Sequence, residues 1–203
     1  MSTLPPARPD PAFQKEVADG RLWLQVCADR GEAVVMTLAD RARDLQERPA
    51  FFFGGGTAAY ARAESEMPSI ATIPARESGA RAFEMAGLTA SDMDILQLYD
   101  ADTINVILFL EDLGFYQKGE GDALVSGGHI APGGGLPVNT NGGRLSFCQQ
   151  GMYGVFTLIE AARQLRCDAG DRQVLALDTV LCHGNGITLS HQATAILRSD
   201  AAL

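Results

Sequence analysis

Short apolar runs and segments of helical period alternate along this chain. Nearly unbroken apolar runs occur at 33–37, 50–53, 94–98 and 174–182, which is how strands buried on both faces read. Between them apolar residues recur at helical spacing: Leu38, Ala42 and Leu45 within 38–48; Ala82, Phe83, Met85 and Ala86 within 75–86; Ile104, Ile107, Leu108 and Leu110 within 104–113; Val155, Leu158, Ile159, Ala162 and Leu165 in a helix from Gln150 or Gly151 to Arg166. Pro49, Gly87 and Gly114 punctuate the first three. Arg21–Cys27 and Thr188–Leu197 alternate loosely, as half-buried strands do, and the second is expected to pair through a hairpin. Asp10 and Pro11 open a short helix ending at Gly20, and Ser91 with Asp94 three residues on caps a short turn.

The remaining segments read as punctuation. Gly54-Gly55-Gly56 ends the strand at 50–53, residues 57–73 form a surface excursion, and Gly119–Gly135 forms a hairpin turning at Ser126-Gly127-Gly128. His183-Gly184-Asn185-Gly186 interrupts the sheet. The strand–helix–strand order over 33–53 predicts a crossover unit. The whole alternation predicts an α/β fold, a mixed sheet with helices on both faces.

Composition narrows the function classes. Apolar residues make up 46% and charged ones 20% of 203 residues, enough for one domain with a sizeable core. The net charge is −9 and the pI about 4.7, which argues against nucleic-acid binding through a basic face. Anionic cofactors stay compatible, because local cations and helix N-termini hold phosphates on acidic proteins. The cysteines, Cys27, Cys148, Cys167 and Cys182, form no CxxC pair and sit beside no histidine cluster. That predicts reduced thiols in a cytoplasmic protein and no metal site. The proline-rich first residues lack the apolar core of a signal peptide, and no run reaches the length of a membrane span.

Candidate chemistry gathers in three polar segments: Tyr99-Asp100, the loop from Asn139 to Tyr153 within a glycine-dense stretch running from Gly133 to Gly154, and 182–186. The glycine-dense stretch keeps apolar anchors at Leu136, Val138, Leu145, Phe147 and Met152, so it reads as a packed loop and not a linker. Loops at strand ends of open α/β sheets build ligand clefts. His183, between an apolar strand and a glycine turn, reads as an acid/base group or as a strand cap satisfying a buried carbonyl. Gly184 and Gly186 free backbone N–H groups for an oxyanion. Asp100 reads as the cap of the following helix or as a site carboxylate; Tyr153 reads as helix packing or as a site phenol. Cys148 and Cys182 are nucleophile candidates or small buried thiols. His129 and His191 receive no role, and Trp23 reads as a core or docking residue.

The stretches EAVVMTLADRARDL, ILQLYDADTINVILFLEDLGFYQKGEG, IAPGGGLPVNTNGGRLSFCQQGMYGVFTLIEAARQLR and HGNGITLSHQATAIL, spread over 32–198, resemble the C-terminal half of thiolase-fold enzymes, in particular the sterol carrier protein X-type, lipid-transfer thiolase-like group. The resemblance implies a thiolase-like C-terminal domain of α-β-α layers at 32–203 and chemistry on CoA thioesters. CoA would be part of the substrate, with no covalently bound cofactor. It also implies that the nucleophilic cysteine of the family belongs to an N-terminal half not represented here. Tyr99-Asp100-Ala101-Asp102 falls on the family's first catalytic loop, with Asp102 where the related group carries a large apolar residue. Gln149 falls where a second loop carries histidine, His183 where thiolases place a second cysteine, and Ile187 where the related group has glycine. The segment 1–31 resembles the start of the small zinc-ribbon/OB-fold proteins that accompany this group, with Arg30 where a metal-binding cysteine would stand. It is either a remnant of such a partner or thiolase sequence throughout.

Two functions follow from the resemblance. One is a thiolase-like acyltransferase or retro-aldol C–C lyase component acting on acyl-CoA in lipid or sterol metabolism, with His183, Tyr99, Asp100, Tyr153 and Gln149 at the site and Gly184 and Gly186 at the oxyanion. The other is a non-catalytic half-thiolase that binds a partner. Expected partners are a second copy of the chain, a thiolase-like N-terminal half, or a small zinc-ribbon/OB-fold protein.

Overall fold

A computed structural model describes residues 22–26, 32–42, 44, 48–147, 153–186 and 189–199. Strands β1 (Leu22–Val26) and β2 (Glu32–Met36) pair antiparallel in a two-stranded sheet of their own. Helix α1 spans Ala39–Ala42, within the helix expected over 38–48; Leu38, Asp44 and Arg48 are not helical. A second sheet holds β3 (Phe51–Ala59), β4 (Ile95–Leu98), β5 (Thr179–Gly186) and β6 (His191–Arg198) in the order β3-β6-β5-β4. Only β4 and β5 run parallel. Helices α2 (Ala75–Ala86), α3 (Thr103–Asp112), α4 (Gly121–Ser126) and α5 (Gly154–Arg166) complete the element order.

The predicted mixed α/β sheet with helices on both faces is present. On one face α2 lies across β3 and β6 with α3 beside it. Leu96, Leu98, Phe109, Leu110, Leu181 and Ile196 form the core there, each fully buried. On the other face α5 covers β4 and β5 and also meets β2. Ile95, Ala161, Leu165, Val180, Cys182 and Leu197 form that core. Strand alternation sorts the side chains: Leu96 and Leu98 point to the α2/α3 face and Ile95 to the α5 face. Burying each large aliphatic side chain is worth about 1.5–3 kcal/mol.

Several predicted boundaries move. Gly54-Gly55-Gly56 does not end a strand; β3 runs through it to Ala59. The reason is packing: a Cβ on Gly54 would collide with the Ala82 carbonyl of α2, and one on Gly56 with the Ser78 carbonyl. These glycines let the helix backbone lie directly on the strand. The crossover unit over 33–53 is absent, since β2 and β3 belong to different sheets. Residues 119–135 form α4 and turns instead of a hairpin. The strand expected from Val174 begins at Thr179, and His183-Gly184-Asn185-Gly186 continues it. The turn near Ser91 is capped by Thr89, whose backbone N–H donates to Asp92 at 2.7 Å. The helix predicted over 11–20, Cys27, Cys148, Gln149 and Ile187 lie outside the described residues.

Candidate functional site

Within the glycine-dense stretch, residues 133–147 run beside the β4 edge of the sheet and are tied down at three places. At the first, Leu96 N–H donates to Pro137 C=O at 3.0 Å and Asn139 N–H to Leu96 C=O at 2.9 Å, adding Val138 as a parallel bridge beside β4. Asn139 adopts a left-handed φ of 52°, which its side chain tolerates, and its Oδ1 accepts Leu98 N–H at 2.7 Å. At the second, Thr140 Oγ1 accepts from Gln97 at 2.8 Å and from Gln164 at 3.1 Å and donates to Glu160 at 2.8 Å. The buried Glu160 carboxylate is in turn paired with Arg172 at 3.1 Å. At the third, Asp100 accepts the Arg144 backbone N–H at 2.6 Å.

That third tie decides the role of Asp100. The helix-capping position of α3 is Asp102, which makes no side-chain cap bond, so Asp100 does not cap α3. Its buried carboxylate instead faces the amides that open the short turn Arg144–Ser146. Burial raises its pKa above the usual carboxylate value, against the lowering effect of the Arg144 amide. Gly143 is obligatory there: its φ is +70°, and a Cβ would collide with the Asp100 carboxylate. Arg144 Nη1 donates to Ala101 C=O at 2.5 Å. The two ends of this segment, sequence-distant, are thus welded into one wall.

Tyr99 directly follows β4 and turns to the α5 face. Its ring centroid lies 5.3 Å from that of Tyr153, at the start of α5. Tyr153 is stacked on Phe156 at 5.5 Å and flanked by Phe147 at 6.1 Å, an aromatic cluster worth about 0.5–1.5 kcal/mol per pair beyond area burial. Tyr153 is fully buried, its hydroxyl donates to Asn141 Oδ1 at 3.4 Å, and burial pushes its phenol pKa well up.

A cleft of about 1380 Å³ opens beside Tyr99. Its floor is the exposed end of β5 at Gly184–Gly186 and of β6 at His191–Ala193; Arg144 and Asp102 line one side, and Tyr60, Glu77 and Arg81 another. Tyr60 donates to Glu77 at 2.5 Å, and burial together with that carboxylate raises its pKa to about 12. Two polar atoms of cleft residues, Arg144 Nε and Asn185 Oδ1, are buried without a hydrogen-bond partner among the described residues.

Of the expected site residues, Tyr99, Gly184 and Gly186 line this cleft, and Tyr153 and Asp100 pack behind it. His183 does not. It is fully buried on the α2/α3 face, with Nδ1 against Thr194 Oγ1 at 2.9 Å, Nε2 against Gln192 Oε1 at 2.7 Å, and its ring edge-on to Phe109 at 4.5 Å. Burial lowers its pKa to about 4, against the raising effect of Gln192. Thr194 also shares a 2.9 Å hydrogen bond with Ser78 of α2, so His183 belongs to a polar tie between helix and sheet. Of the described cysteines, Cys182 is buried with its thiol pKa pushed up by desolvation, and Cys167 is exposed. Arg81, Arg144, Asn185 and His191 were absent from the sequence-derived set. The alternation of β6 marked His191 only as a strand-surface residue without a role. No cluster of histidine, cysteine and carboxylates able to hold a metal occurs among the described residues. No described helix is long and apolar enough to cross a membrane.

Comparison with known proteins agrees with this architecture. The chain is 36% identical over 163 residues to an acetyl-CoA acetyltransferase of Methanothermobacter thermautotrophicus, covering 79% of this chain and 43% of that protein. It is 36% identical over 157 residues to a 17-hydroxy-3-oxo-4-pregnene-20-carboxyl-CoA lyase of Mycobacterium tuberculosis, covering 74% of this chain and 40% of that one. Among solved structures, an Ltp2–ChsH2(DUF35) aldolase superposes with a TM-score of 0.72 at 29% identity, over 83% of this chain and 43% of the other. The chain spans less than half the length of each. A family model described as thiolase C-terminal domain-like matches residues 56–199, the region that holds the four-stranded sheet from Gly56 onward together with α2 to α5, and the protein belongs to that family.

Proposed function

We propose that this chain supplies the C-terminal half of a thiolase-fold carbon–carbon lyase that cleaves acyl-CoA substrates by a retro-aldol reaction. The observation that carries the reading is the pair of tyrosines with ring centroids 5.3 Å apart, Tyr99 lining the cleft beside the side-chain-free floor at Gly184 and Gly186 and Tyr153 packed behind it. Retro-aldol cleavage needs proton transfer and a place for the enolate oxygen, but no thiol nucleophile. Acyl transfer through a covalent intermediate does need one. Cys182 is sealed in the core with its Sγ directed to Thr157 C=O. Cys167 sits at the far end of α5 from Tyr153. An acyltransferase would have to take its nucleophile from outside the described residues or from a partner. A relative named as a CoA lyase and a structural neighbour named as an aldolase support the choice. Arg81 and Arg144 bring cationic groups to the cleft of a chain with net charge −9, which suits the phosphates of CoA.

The reading includes a partner. On the α5 face a groove of about 520 Å³ runs over β3 and β6, lined by Phe52, Gly55, Thr57, Leu158, Ala193 and Ala195. Phe52 is 47% exposed there. A thiolase-like N-terminal half covering this groove would also restore the length the relatives have. A second copy of the chain or a small zinc-ribbon/OB-fold protein are the other occupants, and the structural neighbour is named as an aldolase of Ltp2 with ChsH2(DUF35). Free thiols at Cys167 and Cys182 fit a cytoplasmic setting.

The test is an assay of the purified chain with acyl-CoA and 3-hydroxyacyl-CoA thioesters, alone and with each class of partner. Release of a shortened acyl-CoA that is lost in Tyr99→Phe supports the lyase. No turnover in any combination, with the chain still binding a partner, favours the second reading: a non-catalytic half-thiolase whose open groove is its working surface.

A further inference from the structure

We infer that His191 is the general base of this cleft, taking the proton from the hydroxyl group of a 3-hydroxyacyl thioester held between it and Tyr99. The inference rests on the lyase reading. Strand alternation separates the two histidines of the β5–β6 hairpin. Gln192 and Thr194 turn their side chains to His183 on the α2/α3 face, so His191 and Ala193 between and before them turn to the opposite face. Gly184 pairs with Ala193 and Gly186 with His191, so both glycines stand on that same face of β5, and both line the cleft. Tyr99 is on it too, against Tyr153 of α5.

Register fixes the spacing. Leu98 pairs with His183 on β5, and Gly186 pairs with His191 on β6. Tyr99 is therefore level with Gly184, two residues short of His191 and two strands away. At ordinary strand rise and spacing their Cα atoms stand about 12 Å apart. Only glycine lies on the β5 floor between them, and the nearest atom to a Cβ built on Gly186 is His191 Cβ at 3.9 Å. Two side chains reaching inward from that separation leave room for the reacting carbons of one substrate.

The imidazole is also oriented. His191 Nδ1 lies 2.9 Å from Ser190 Oγ. Ser190 is fully buried, and its carbonyl accepts Tyr60 N–H at 3.1 Å. Nε2 has no hydrogen bond among the described residues, and the half-buried ring lines the cleft. With Nδ1–H donating to Ser190, Nε2 presents its lone pair to the cleft, the arrangement of a base held by a third group. Imidazole is the side chain most often used for such proton transfer.

The step balances without an oxidant or a second substrate. Nε2 takes the hydroxyl proton, and the O–H pair becomes the π bond of a new carbonyl. The bond between the two reacting carbons breaks, and its electron pair passes to the thioester as an enolate. The Tyr99 phenol protonates the α carbon, and the imidazolium returns its proton to the phenolate through solvent. The products are an aldehyde or ketone and a shortened acyl-CoA.

The experiment uses the full chain with whatever partner supports turnover, ¹⁵N-labelled at histidine. Acetyl-CoA is titrated in while the resonances of His129, His183 and His191 are followed, and cleavage of a 3-hydroxyacyl-CoA is measured for wild type, His191→Gln, His191→Asn and Tyr99→Phe. The expected result is a shift confined to His191 and a cleavage rate at least about 100-fold lower in both His191 variants, with acetyl-CoA affinity within about twofold and circular dichroism unchanged. Cleavage at the wild-type rate in His191→Gln or His191→Asn, with Tyr99→Phe inactive, overturns the inference and leaves the lyase reading standing. Absence of both acetyl-CoA binding and cleavage in wild type overturns the lyase reading and the inference with it.

Discussion

The two faces of the four-stranded sheet have opposite fates. The face under α2 and α3 is closed: its core residues are fully buried, and even its polar groups, His183, Gln192, Thr194 and Ser78, bond one another. The face under α5 is closed over β4 and most of β5 and open over β3, β6 and the Gly184–Gly186 end of β5, where the groove and the cleft lie. Histidines on adjacent, paired strands therefore do different work. His183 is a neutral strut inside the closed face. His191 is at the edge of the open one. Polar groups on the first face stabilise the fold, as do Gln97, Glu160 and Gln164 under α5, and only the polar groups at the open edge of the second face are available to a ligand.

Substitutions can break or sharpen that contrast. The largest expected effect is at the strut. His183→Ala leaves a cavity and strands Gln192 and Thr194 in the core, so unfolding in denaturant should show a loss of about 4 kcal/mol. His191→Ala, on the open face, should stay within about 0.5 kcal/mol of wild type in the same measurement. Equal losses at the two positions would remove the distinction between strut and edge.

Acid should act next. The folded pKa of His183 is about 4 against an ordinary 6.5. Between those values the unfolded chain binds more protons than the folded one, so stability rises with pH through this window and is flat above it. Lowering the pH from 7 to 4 should therefore cost about 3 kcal/mol from this group. His183→Gln should flatten the dependence, and a profile unchanged by that substitution would show the ring to be solvated in the folded state.

Smaller effects compare glycines across the sheet. Gly56→Ala drives a methyl group into the Ser78 carbonyl of α2 and should cost about 2 kcal/mol. Gly184→Ala on the other face meets only Gly154 Cα, at 3.6 Å, and should cost under about 1 kcal/mol while reducing thioester affinity by filling the cleft floor. Thermal melts and acetyl-CoA titration read the two outcomes separately.

Much of the framework was legible because its signals are local. The period-3.6 pattern and Gly87 placed α2 at its observed limits, and apolar runs located β4 and α3 within a residue or two. The glycine-dense stretch was readable as a packed loop from its apolar anchors, and Tyr99, Gly184 and Gly186 were named as site residues before any geometry. Glycine misled where its reason was tertiary. Gly54–Gly56 and Gly184–Gly186 read as strand breakers, yet they sit inside β3 and β5 because a helix backbone approaches the first set and a cleft opens over the second. Asp100 read as a helix cap or a site carboxylate; the cap reading followed a local rule and fails, because its partner amides come from Arg144 and Leu145, more than forty positions away.

The sequence by itself determined the α/β class, the main helices, the β5–β6 hairpin and the thiolase likeness, since periodicity, punctuation and motif order are written along the chain. Only the tertiary structure decided which face of each strand is sealed and which is open. Side chains one position apart in a strand point to opposite sides, and a strand of buried character does not say which side a helix covers. That single choice of side put His183 in the core and His191 at the cleft.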